Sequence, residues 1–96
     1  MSDALLLEPV LDLKAATPLQ SALLGRRGQA LEIDASAVER LGGLCLQVLI
    51  SAHKTWGDDG VPLHVAPRSE AFTEALRLFG ATTRLDESQL EEMDAK

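Results

Sequence analysis

The chain predicts an α/β fold, a central mixed sheet of about four strands with helices packed mainly on one face. Three observations carry that reading. Short strand-like apolar runs alternate with helical patterns along the chain. The runs at 30–33 and 61–65 flank one long apolar helix, and a strand–helix–strand unit of this kind demands parallel strands joined by a right-handed crossover. The core must be aliphatic, because 46% of the 96 residues are hydrophobic but only one is Trp, two are Phe and none is Tyr. A chain of this length fits one compact domain.

The elements follow in order. Residues 4–7 and 10–13 are apolar runs parted by Glu8-Pro9, read as two strands or one broken strand. Thr17-Pro18-Leu19-Gln20 predicts a helix start, with threonine capping free amides, proline in the first turn and glutamine completing the capping box. Gly25 and Gly28, around Arg26-Arg27, stop that helix. The next strand is 30–33, apolar except for Glu32. VERLGGL, from Val38 to Leu44, turns into the main helix at 44–56, which Gly57 closes. In that helix Val48, Leu49, Ala52 and Trp56 form one core-facing stripe. Leu46 and Ile50 form another, which either covers a second layer or extends an apolar surface patch. Val61, Leu63 and Val65 alternate as a strand should. Ser69 caps a helix in which Phe72, Ala75, Leu76 and Phe79 recur at helical spacing, and Gly80 supplies a left-handed stop. Asp86 caps a last helix carrying Leu90 and Met93. The domain is thus expected over 1–85, with an acidic C-terminal helix or tail at 86–96.

Charge narrows the function. The net charge is −6, and residues 86–96 carry most of it, with five acids against Lys96. A pI near 4.7 and no basic stripe argue against nucleic-acid binding. The acidic end reads as a solvated helix, or as a means of steering a basic partner. Cys45 is the single cysteine, so no internal disulfide forms, which suits a reducing cytoplasm. MSDALLLEPV lacks the basic region and long apolar core of a secretion signal, and no apolar run approaches the ~20 residues that span a bilayer. A soluble, cytoplasmic domain without membrane insertion is expected.

Reactive constellations are sparse. His53 and His64 belong to no cluster with metal-ligand spacing, so no metal or cofactor is expected. Ser36, Ser51 and Cys45 lack a nucleophile elbow, and Cys45 reads as a small buried hydrophobe. Asp58-Asp59 in WGDDG are turn-formers rather than an acid–base pair. Gly42-Gly43 opens a helix, where amides and the helix dipole favour anions. The pair fits no phosphate-binding fingerprint, and a tight strand-to-helix turn is the plainer use. The chain is not expected to be an enzyme.

With that order of elements, the stretch LEIDASAVERLGGLCLQVLISAHKTWGDDGVPLHV resembles the STAS domain family, which includes anti-sigma-factor antagonists and the small STAS subunit of a phospholipid-transport system. In that family a strand ending in Asp leads to a D-[ST]-[SGT]-G-L turn and an apolar helix. Leu31-Glu32-Ile33-Asp34 match the strand, Gly43-Leu44 the end of the turn, and Leu46, Val48, Leu49 and Ile50 the helix. The family's acidic position falls on Arg40 and its switchable hydroxyl on Leu41; Gly42 has no hydroxyl either. Ser36 is near in sequence but lies in the preceding loop.

The resemblance implies a surface that docks on a protein partner, here Arg40, Leu41, Gly42, Gly43, Leu44 and Gln47. Leu41 is expected to stand exposed at the tip. A phosphate at that position would add roughly −1.5 to −2 charges and oppose apolar docking, whereas leucine keeps the contact always available. VERLGGLCLQVLISAHKTW and SEAFTEALRLFGA further resemble short STAS proteins that accompany chemotaxis genes in alphaproteobacteria. That resemblance implies a non-catalytic adaptor on a two-component histidine kinase or its response regulator. Alternatives are a subunit on the ATPase of a phospholipid transporter, an anti-sigma-factor antagonist, or a sensor with an anion or nucleotide at Gly42-Gly43.

Overall fold

The computed structural model describes residues 4–80 of the chain. In order, these form β1 (Leu5–Leu6), β2 (Val10–Leu11), a 3₁₀ turn (Leu13–Ala15), α1 (Ala16–Leu24), β3 (Leu31–Ala35), β4 (Arg40–Leu41), α2 (Gly43–Asp58), β5 (Leu63–Arg68) and α3 (Glu70–Leu78). The expected helix after Asp86 and the acidic end lie outside the described residues.

One sheet has the order β1-β3-β5 and a second pairs β2 with β4. Pro9 marks the break between β1 and β2, so the first strand is the broken one anticipated from Glu8-Pro9. The chain breaks a second time between β3 and β4, and each half pairs with its counterpart, Leu5 with Ile33 and Leu11 with Leu41. All pairings among the described residues are parallel, including the predicted crossover pair of β3 with β5, so the mixed character expected of the sheet does not show there.

Strand alternation sets the core. Leu31, Ile33 and Ala35 on β3 and Leu63 and Val65 on β5 are buried. Glu32 and His64, paired across the two strands, face water on the opposite side. Inward-facing strand residues join Leu19 and Leu23 of α1, Leu49, Ala52 and Trp56 of α2, and Phe72 and Leu76 of α3 in one cluster. This core is aliphatic apart from one Trp and one Phe. Full burial of a side chain of this kind is worth roughly 1.5–3 kcal/mol.

Local chemistry explains the boundaries. Asp12, not Thr17, opens the first helical segment, because its carboxylate accepts from the amides of Lys14 and Ala15 at 3.1 and 3.3 Å. That 3₁₀ turn leads directly into α1, so Pro18 falls in the first helical turn, where its missing donor costs nothing. α2 runs through Gly57 to Asp58, and the chain reverses at Gly60 with φ of +73°. The indole of Trp56 donates to the Gln29 carbonyl at 2.7 Å and ties the end of α2 to the approach to β3. Ser69 does cap α3: its hydroxyl accepts from the Phe72 amide at 2.9 Å and donates to the Val38 carbonyl at 2.6 Å. Gly80, at φ of +69°, is the predicted stop.

Candidate docking surface at the start of α2

The turn Arg40–Leu44 is half strand and half helix. Arg40 and Leu41 form β4, in parallel register with Val10 and Leu11. Strand alternation turns the Arg40 side chain to water and the Leu41 side chain inward. Leu41 is only 6% exposed and belongs to the main core. This corrects the expectation that Leu41 stands proud at the tip of a helix-opening bend. The heptapeptide VERLGGL carries no period of its own, and the two-residue strand that buries Leu41 forms only by pairing with a segment some thirty positions earlier.

Gly42 is the N-cap of α2, with extended backbone and no side-chain cap. Its amide donates to the Leu11 carbonyl at 2.9 Å, and its own carbonyl accepts from Leu46 at 3.1 Å. A β-carbon at Gly42 would lie 3.2 Å from the Leu11 carbonyl oxygen, which is backbone and has little freedom to give way. Glycine suits this position because the neighbouring strand approaches closely. Gly43 is under no such constraint: a β-carbon would make ordinary contact, 3.8 Å from the Phe79 ring.

That ring reveals what the sequence pattern concealed. Phe79 recurs at the helical spacing of Phe72, Ala75 and Leu76. It sits at the C-cap of α3, half exposed, beside Gly43. Leu44 on the first turn of α2 is likewise half exposed, and Leu78 is more open still. Gln47 is exposed one turn further along α2. Of the six residues expected at the surface, Arg40, Gly43, Leu44 and Gln47 are exposed, Gly42 is half-buried and Leu41 is interior. Phe79 is the apolar contributor that sequence reasoning missed.

The remainder of α2 settles the question of its two stripes. Leu46 is buried with Leu49, Ala52 and Trp56, while Val48 and Ile50 are half-buried. The second stripe therefore joins the same core and does not extend a surface patch.

Reactive groups near the turn are chemically quiet. Cys45 is fully buried, and its thiol donates to the Asp12 carbonyl at 3.3 Å. Burial pushes its pKa up, and the Asp12 carboxylate adds to that, so the thiolate form is disfavoured. Asp58 and Asp59 are divided between two cations, Lys54 at 3.7 Å and Arg27 at 3.0 Å. The Arg27 hydrogen bond holds the Asp59 carboxyl below the usual range. Asp34, at the end of β3, accepts from the Ser36 hydroxyl at 2.6 Å and the Ser36 amide at 2.8 Å, and these bonds lower its pKa too. They bind Ser36 into the loop that precedes the turn. Among the described residues no three His, Cys, Asp or Glu side chains gather as a metal site, and no helix is long and apolar enough to cross a membrane.

A parallel α/β layer with a glycine-capped helix at the end of a split strand is consistent with a domain of the STAS type. The family model described as "Mlab, STAS domain" matches residues 2–85, and the chain belongs to the STAS domain family. No curated protein and no solved structure matches it. STAS domains are regulatory and protein-interaction domains and are generally non-catalytic.

Proposed function

We propose that this chain is a constitutive docking module, a cytoplasmic non-enzymatic adaptor that binds a chemotaxis or related two-component histidine kinase or its response regulator. The observation that carries the reading is exposed apolar surface at the mouth of α2. Leu44 on its first turn is half exposed, and the half-exposed Phe79 ring lies close to Gly43, at a helix start where neither Leu41 nor Gly42 carries a hydroxyl. The contact residues are Leu44, Phe79, Gly43, Arg40 and Gln47. Leu41 and Gly42 support them from beneath by fixing the approach of β4 to β2. An apolar contact at this point is not subject to charging by phosphate, so regulation rests on the partner's conformational state. The adaptor shifts that state only through a difference in affinity for its alternatives.

The resemblance of VERLGGLCLQVLISAHKTW to chemotaxis-associated STAS proteins supports the choice of partner. A second reading keeps the surface and changes the system, placing the chain on the ATPase subunit of a phospholipid transporter. The matched family description favours it, and the missing hydroxyl at Leu41 weighs against it. Affinity capture on tagged chain from its native cells distinguishes the two. Recovery of a histidine kinase or response regulator, lost on Leu44→Asp while the variant remains folded, supports the adaptor. Recovery of transporter subunits alone moves the assignment to the second reading.

A further inference from the structure

Leu44, Leu78 and Phe79 are exposed apolar side chains at the start of α2 and the end of α3. These two ends meet, because a β-carbon at Gly43 would lie 3.8 Å from the Phe79 ring. Gly80, at φ of +69°, turns the chain immediately after that ring. The segment that follows therefore starts at this apolar surface. It is ATTRLDESQLEEMDAK, residues 81–96, outside the described residues. Its large apolar residues are Leu85, Leu90 and Met93, and five acids stand among them.

We propose that residues 81–96 fold back and lay Leu90 and Met93 on Leu44 and Phe79. Leu90 and Met93 are three positions apart, the spacing of one helix face, and the sequence predicts a helix after Asp86. A helix of about ten residues has little stability alone in water and needs an apolar surface to pack on. The tether brings it to this one. Leu85 stands five residues past Gly80, a reach of at most about 18 Å when fully extended. The contact is intramolecular, at an effective concentration on the order of millimolar, so a small apolar patch suffices. Charge does not oppose it. The first turn of α2 contains no acidic residue and Gly42 supplies no side-chain cap, so carboxylates meet the favourable end of the helix dipole. Glu39 and Arg40, exposed side by side on the approach, offset one another. The consequence rests on the docking reading, in which Leu44 and Phe79 also touch the partner. Segment and partner then compete, and the partner's apparent dissociation constant rises by the reciprocal of the uncovered fraction. No covalent event is needed for the exchange, so docking remains constitutive.

Paramagnetic broadening in NMR spectra of the full chain tests the contact without any partner. Ala95→Cys carries a nitroxide; Cys45 is fully buried, and wild type treated in parallel sets the baseline. The amide peaks of Gly43, Leu44 and Phe79 should lose at least about half their height, as a contact held by a short tether does. Trp56 and Gly57, about 20 Å further along α2, should lose less. Adding Leu90→Asp to the labelled chain should return the peaks towards the baseline, and the spectra themselves show that each variant is folded. Broadening that Leu90→Asp leaves unchanged reflects the tether alone and overturns the proposal, as does an absence of broadening. Broadening that persists when the labelled and the isotope-enriched chains are separate molecules assigns the contact to a second copy and also overturns it. Failure of the docking reading shows separately, as a captured partner that Leu44→Asp does not release.

Discussion

Leu41 and Leu44 lie three positions apart on either side of the strand-to-helix junction, and their environments are opposite. Leu41 is buried in the core, paired with Leu11 of β2, while Leu44 is half exposed to water. The difference shows that the strand-to-helix turn has an inner and an outer side. The inner side fixes its shape and the outer side presents its chemistry. Leu41 belongs to the inner side, and the exposed apolar side chain is that of Leu44 on the helix.

The sharpest way to break this comparison is to place the same charge at both positions. Leu41→Asp buries an unpaired carboxylate and should cost about 4 kcal/mol or more, enough to unfold a domain whose total stability is on the order of 5–10 kcal/mol. Leu44→Asp should change stability by less than about 0.5 kcal/mol, because a carboxylate in the first helical turn faces water and the favourable end of the dipole. Urea unfolding of the two variants reads the contrast; equal losses would mean that the two leucines share one environment.

The adjacent glycines sharpen it further. Gly42→Ala drives a methyl against the Leu11 carbonyl and should destabilise by about 1–2 kcal/mol. Gly43→Ala meets only ordinary contact with Phe79 and should stabilise by about 0.4–1 kcal/mol through a less flexible unfolded chain. Opposite signs in thermal melts are the expected outcome. Ser69→Ala removes both the cap of α3 and the bond to the Val38 carbonyl, on the inner side of the turn, and should cost about 1 kcal/mol by the same measurement.

The smallest effect concerns pH. Asp34 and Asp59 have carboxyls held below their ordinary range by Ser36 and Arg27. A carboxyl with a lowered folded-state pKa contributes stability that is complete above its unfolded value and is lost as pH falls through its folded value. Stability of the wild type should therefore fall slightly more steeply in acid than that of the Asp34→Asn, Asp59→Asn double variant. Both groups lie at the surface, so solvent screening keeps the difference small. Parallel acid profiles would show that neither hydrogen bond adds measurably to the fold.

Much of the fold was legible in the residues. Glu8-Pro9 announced the break between β1 and β2, Ser69 and Gly80 bounded α3, and the apolar run after Gly43 gave α2, because each signal is local. The short strand β4 was not legible, since two residues have no usable periodicity and this strand exists only as the partner of β2. The exposure of Phe79 was not legible for a related reason. It recurs at the helical spacing of Phe72, Ala75 and Leu76, but α3 ends at Leu78, one residue before the ring. The opening of α1 was assigned to Thr17 because a good capping box stands there, whereas Asp12 begins the helical segment one turn earlier.

The sequence by itself determined the order of strands and helices, the aliphatic character of the core and the absence of a hydroxyl at Leu41 and Gly42. These follow from side-chain chemistry and from periods that a single segment carries. Only the tertiary structure decided which leucine faces water, why Gly42 leaves little room for a side chain, and that the exposed Phe79 ring lies beside Gly43. Each of those depends on how closely a segment distant in sequence approaches, and no local pattern encodes that distance.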